Sequence, residues 1–243
     1  MLRRFLGISL CALTALFAAS TASADIVVVD DFSSGDLSAY TQTVLLDVND
    51  GDNNGTVFST VGGALSVDTT DFDAIEQTAF TLNTFGGLGI GETLLLDVDD
   101  NGNQDIGLYV GNATPVTDVR EDYIISFARN QSQGLNAIFN AANPGGDTTG
   151  FGPQGALAGV FIRRTGDDDF EAGYFDAAGT EFIETTYTDT GLNGSVIGIY
   201  TDIRAGGALG TVDNLRVHTV PEPSSFALLG LAAVVGFGRR RKS

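Results

Sequence analysis

The chain has 243 residues, a formal charge of −19, one cysteine and one histidine. Six of the 12 basic residues, but only one of the 31 acids, lie at the two ends, so residues 25–218 carry six arginines against 30 acids, a charge of −24. Nucleic acid and anionic membrane surfaces both demand a positive face, and this composition excludes them as partners of the central region. Cations, neutral sugars and basic proteins remain.

The chain opens with the pattern of a secretory signal peptide. Arg3-Arg4 supply positive charge, Leu6 to Ala19 an apolar run, and Ala22-Ser23-Ala24 a small-residue cleavage site, so the mature chain is expected to begin at Asp25. Cys11 lies inside the apolar run behind the bulky Leu10, a poor lipoprotein context, and is expected to leave with the signal peptide. Disulfide and thiol chemistry are then excluded from the mature protein.

Residues 25–218 form one domain-sized segment poor in helix formers and rich in strand formers and Gly. Its acids are mostly Asp, a turn and loop residue, with 24 in the chain against seven Glu. Strand-like runs occur at 26–32, 40–48, 64–68, 74–81, 93–98, 106–110, 123–129, 137–140, 157–164, 170–175, 181–187, 196–204 and 210–218. Turn signals such as Asn53-Asn54-Gly55, Asp100-Asn101-Gly102, Gly166–Asp169 and Asn193-Gly194 separate them. The expected fold is an all-β sandwich. Alternation places Val160 and Ile162 on one side of their strand and Phe161 on the other, and the first strand is expected to bury Val27, Val29 or Phe32.

Two sets of residues suggest cation ligands. Asp97, Asp99, Asn101, Gly102 and Asp105 follow the spacing of the first nine positions of a calcium loop, but Leu108 stands where a bidentate Glu belongs. The plainer alternative is a β-hairpin with Asn101-Gly102 as its type I′ turn. Asp31 and Asp213 share parity with apolar neighbours, so both are expected to face inward or lie at the core rim, where a carboxylate needs donors or a metal. Hydrogen bonds from turn amides would serve equally well.

Signals of catalysis are weak. Glu181 and Glu184 have opposite strand parity, so they do not make a glycosidase pair unaided. His218 abuts the linker to the C-terminus, and Gly86–Gly91 lacks the Lys of a phosphate loop. Tyr40, Tyr109, Tyr174 and Tyr187 are available as sugar-stacking rings in a chain without tryptophan.

The chain ends with Pro221-Glu222-Pro223, an apolar run from Phe226 to Phe237, and the cluster Arg239-Arg240-Arg241-Lys242. Two prolines two apart favour an extended grip for a protease, and four cations after an apolar run would stay in the cytoplasm. The uncharged stretch 223–238 is 16 residues, short of the roughly 20 that a spanning helix needs.

The order of motif, apolar run and basic cluster resembles the PEP-CTERM sorting signal. The resemblance implies a protein exported through the inner membrane and transiently anchored by a short C-terminal hydrophobic helix. An exosortase then cuts it near the motif and releases it to the cell surface or extracellular polysaccharide matrix. The opening Asp30-Asp31-Phe32 and Gly62–Val67, Val160–Gly166, Ile197–Tyr200 and the closing Asp213-Asn214-Leu215-Arg216-Val217 resemble the concanavalin A-like lectin/glucanase (LamG-like) jelly roll. That resemblance implies paired first and last strands and a structural calcium near Asp31 and Asp213. The E-x-D-x-x-E strand of its glucanase branch is missing. The expected layout is a signal peptide at 1–24, a jelly-roll sandwich at 25–218 and a sorting signal at 219–243. The expected role is that of a non-enzymatic surface protein, structural or adhesive, with a carbohydrate-binding module and a glycan-active enzyme as alternatives.

Overall fold

The computed structural model describes residues 25–48, 57–68, 75–100, 105–114, 123–129, 134–138, 157–203 and 210–219. The expected signal peptide, Asn101, the sorting motif, the C-terminal apolar run and the basic cluster lie outside them. The compact unit is Ile26–His218. Among the described residues no helix is long and apolar enough to cross a membrane.

The described chain is built of strands: β1 (Asp25–Asp30), β2 (Tyr40–Val48), β3 (Val57–Val61), β4 (Ala64–Asp68), β5 (Ile75–Leu82), β6 (Glu92–Asp100) and β7 (Asp105–Gly111), then β8 (Ile124–Arg129), β9 (Gly134–Ile138), β10 (Leu157–Arg164), β11 (Phe170–Asp176), β12 (Glu181–Tyr187), β13 (Val196–Ile203) and β14 (Gly210–Thr219). They form two antiparallel sheets, an all-β sandwich. The larger has eight strands in the order β12-β11-β10-β6-β14-β4-β3, with β1 also paired to β14; the smaller has six in the order β2-β5-β13-β7-β8-β9. The expected pairing of first and last strands is therefore present.

Alternation drives the layering. Leu94, Leu96, Val160, Ile162, Leu215 and Val217 from the larger sheet meet Phe80, Ile106, Leu108, Val110, Ile197 and Ile199 from the smaller in one continuous core. At roughly 25 cal/mol per Å² of buried apolar surface, this layer is the main stabilising term. Phe161 turns the opposite way, as its parity requires, and packs with Leu95 and Phe175 on the outer face of the larger sheet.

Four expectations need correction. The strand β3 was not anticipated: Val57–Val61 joins β4 through a tight turn at Gly62-Gly63, both at positive φ. β6 and β7 do not pair as the two arms of a hairpin, because β6 belongs to the larger sheet and β7 to the smaller. The first strand ends at Asp30, and its Val27 is 52% exposed; only Val29 packs on the core. Phe32 reaches the core beyond the strand end, through a left-handed backbone (φ 53°) whose amide donates to Asp30 Oδ1 at 2.7 Å. Finally, Asp213 does not share a face with Leu215. Asn214 adopts φ 48° and shifts the parity, so Val212 and Leu215 are buried while Asp213 and Asn214 are half-buried.

Candidate functional site

The outer face of the larger sheet carries a groove of about 430 Å³. Strand order explains its contents: β12, β11, β10, β6 and β14 lie side by side, and each sends outward its residues of one parity. Asp97 of β6 is in register with Gly159 of β10, Gly159 with Phe175 of β11, and Phe175 with Glu181 of β12. Gly159 is required here. A Cβ at that position would lie 2.6 Å from Cε1 of Phe175 and would also strike the Leu96 carbonyl, so its absence lets the phenylalanine ring lie across β10. Phe175, Leu95 and Ala158 make an apolar floor, and Ile26 adds an exposed apolar wall.

Above this floor stand charges. Arg216 of β14 places its guanidinium 5.6 Å from the centre of the Phe175 ring and donates to Asp97 Oδ1. Asn214 donates from Nδ2 to the other oxygen of Asp97 at 3.0 Å. Both carboxylate oxygens of Asp97 are thus engaged by β14. Burial raises the Asp97 pKa from its ordinary value, and Arg216 and then Asn214 pull it back. Beside the groove, Arg163 lies over Phe161, donates from Nε to Thr93 at 2.9 Å and from Nη1 to Glu171 at 3.1 Å, and pairs with Glu181. Asp176 caps its own turn by accepting from the amides of Ala178 and Thr180 at 2.9 and 2.8 Å on one oxygen, Oδ1. Asp99 is exposed at the rim. Two atoms of groove residues, Arg216 Nε and His218 Nε2, are buried without a hydrogen-bond partner.

The residues singled out for cation binding divide in an unforeseen way. Asp97 and Asp99 line the groove, whereas Asp105 is buried on the smaller sheet, opposite Asp202. Asp31 is exposed rather than inward; Oδ1 accepts from the Ser33 amide at 3.1 Å and hydroxyl at 2.7 Å, which holds its pKa below the ordinary value. Asp213 Oδ1 accepts the Asn214 amide at 2.7 Å. Burial raises its pKa, the Asn214 amide opposes this, and the nearby charges of Asp99 and Asp31 add to the rise. Asp213 thus feels Asp99 and Asp31, but among the described residues no three His, Cys, Asp or Glu side chains converge as a metal site requires.

The tyrosines do not form a stacking face. All six in the chain are less than 10% exposed. Tyr40, Tyr174 and Tyr187 belong to the core between the sheets, while Tyr109 lies on the outside of the smaller sheet with Tyr123, Phe127 and Tyr200. Glu181 is tied to Arg163, and burial raises the pKa of Glu184. The groove residues Phe175, Arg216 and Asp176 had no sequence signal. Their parity is readable, but nothing in one dimension places β14 beside β6 or β6 beside β10.

The architecture defines an acidic all-β sandwich with a charged groove on its larger sheet. Residues 219–242 match the family of the PEP-CTERM protein-sorting motif. That motif marks export and membrane-anchored sorting to the cell surface by exosortase. No curated protein matches the sequence. Among solved structures, the chain is similar to the metal-free lectin I-B4 of Griffonia simplicifolia, at 7% identity and TM-score 0.46, over 81% of this chain and 98% of that one. It is similar to a carbohydrate esterase of the Shiga toxin-encoding bacteriophage phi24B at 12% identity and TM-score 0.46, over 81% and 100% of the two chains. The exoplasmic/lumenal domain of VIP36, bound to Ca2+ and Man2, gives 8% identity and TM-score 0.48, over 79% and 86%.

Proposed function

We propose that this is an exported surface protein, released by exosortase into the extracellular polysaccharide, whose sandwich is a non-enzymatic structural or adhesive module. The observation that carries the reading is the sorting motif at 219–242, placed directly after the last strand of one acidic β-sandwich. An N-terminal signal peptide ending at Ala24 is part of the same reading. The state of the groove carboxylates supports a binding role over catalysis. A glycosidase needs one carboxyl free to donate a proton and another free to attack or activate water. Here Asp97 is held by Arg216 and Asn214 and Glu181 by Arg163, which leaves Asp99 at the rim and Asp176, one of whose oxygens caps its own turn, as the lining acids without an arginine among the described residues. A charge of −24 also suits a module that stays soluble and monodisperse in a salty matrix.

The reading is tested in the native host by replacing Pro221-Glu222-Pro223 with alanines and fractionating the cells. The parent protein is expected at the surface or in the medium, and the variant in the membrane fraction, unprocessed. Unchanged release of the variant would refute exosortase sorting.

A further inference from the structure

We propose that the groove on the larger sheet binds a sugar unit bearing a free ammonium group, a hexosamine of an extracellular polymer. This deepens the binding role above and rests on it. The first support is the balance of charge. Two of the lining acids have their own arginines, Asp97 with Arg216 and Glu181 with Arg163, but Asp99 and Asp176 have none among the described residues. The groove therefore keeps two uncompensated carboxylates within a domain of charge −24. An acidic sugar would be repelled, and a cationic one attracted at long range.

The second support is shape and polarity. Phe175, Leu95, Ala158 and Ile26 offer an apolar bed of the kind that receives the C–H face of a sugar ring. A bare metal ion would leave that bed unused. The sugar hydroxyls have matching partners, since carboxylates accept and the Arg216 guanidinium donates. Arg216 Nε and His218 Nε2, both buried and unpaired, are groove residues' atoms that a hydroxyl could satisfy after a small rotation of either side chain. A volume of about 430 Å³ lies inside the range of roughly 300–1,000 Å³ typical of small-ligand sites.

The test uses the processed protein recovered from the host surface and titration calorimetry with the glucosamine disaccharide, its N-acetylated counterpart and spermine. Ala158→Trp fills the groove and leaves every charge in place; Ile26→Trp, at an exposed position, does the same from the rim. Asp99→Asn removes one carboxylate. The glucosamine disaccharide is expected to bind, with the N-acetylated form and the Asp99→Asn variant each roughly tenfold weaker, one lost charge-assisted contact. Both tryptophan variants are expected to lose this binding while keeping their attraction for spermine. Equal disaccharide affinity in the parent and both tryptophan variants would reduce the effect to diffuse charge and overturn the proposal. So would tighter binding of the N-acetylated form, or no binding of the amino sugar. In that last case, adhesion to another glycan with sorting intact would show that the groove assignment alone had failed.

Discussion

The outer faces of the two sheets solve the same problem in opposite ways. On the smaller sheet the outer residues are dry: Tyr109, Tyr123, Phe127 and Tyr200 are each less than 10% exposed, and the carboxylates Asp105 and Asp202 on the same face are buried with them. The Tyr109 ring lies across Gly198, and its hydroxyl donates to Thr81 at 2.6 Å, two strands away. On the larger sheet the same device, Phe175 lying across Gly159, is overlaid with Arg216, Asp97 and Glu181 around an open groove. Desolvating ions costs stability that an aromatic cover would not. The smaller sheet buries its outer carboxylates, Asp105 and Asp202, whereas the larger keeps Asp97, Asp99, Asp176 and Glu181 around an open groove, where the proposed ligand would meet them.

Glycine substitutions probe the feature both faces share and carry the largest expected effects. A Cβ at Gly198 would sit 2.5 Å from Cε1 and 2.6 Å from the hydroxyl of Tyr109. Gly198→Ala and Gly159→Ala are each expected to destabilise by about 3 kcal/mol, read by chemical denaturation. If Gly159→Ala proved neutral, the ring over β10 would be mobile and the floor of the groove would not be preformed.

Breaking the ion pair separates the faces. Arg216→Gln leaves Asp97 half-buried with only Asn214 as donor, and a loss of about 1–2 kcal/mol is expected, between the values for exposed and buried pairs. Tyr109→Phe, which removes a buried neutral hydrogen bond, should cost about 1 kcal/mol. A larger loss in Tyr109→Phe than in Arg216→Gln would invert the comparison.

The smallest effect is in pH. Asp213 has a raised pKa, chiefly through burial, so the folded state holds its proton more tightly than the unfolded chain. Its contribution is favourable at low pH and is lost as pH rises through the folded pKa. Asp213→Asn keeps an acceptor for the Asn214 amide, and should raise the melting temperature near about pH 7 but not near about pH 4. Asp31 has a lowered pKa, so its contribution is present at neutral pH and lost as pH falls through the folded value. Asp31→Asn should act in the opposite direction. The same sign for both variants would contradict the geometry of this rim.

Most of the framework was legible in one dimension because it rests on local signals. Period-two runs such as Leu157–Arg164 and turn residues such as Asn193-Gly194 located 13 of the 14 strands among the described residues. Val57–Val61 escaped because a five-residue run with Ser and Thr at its centre has little apolar contrast. Orientation failed wherever the backbone left the extended region. The left-handed Asn214 reversed the facing of Asp213, and the left-handed Phe32 reached the core from beyond its strand. The groove was illegible for a different reason. Its walls come from five strands of the larger sheet between β12 and β14 and from β1, and their adjacency is a property of topology. The sorting motif needed no fold to be read, since its chemistry is a linear order of prolines, apolar residues and cations.

The central claim, that the sandwich is delivered by its two ends and works without them, is tested most directly by intact mass spectrometry of the protein recovered from the host surface. The predicted species begins at Asp25 and lacks Arg239 to Lys242. A surface protein that retains the basic cluster would contradict exosortase processing, and one that still begins at Met1 would contradict export by a cleaved signal peptide.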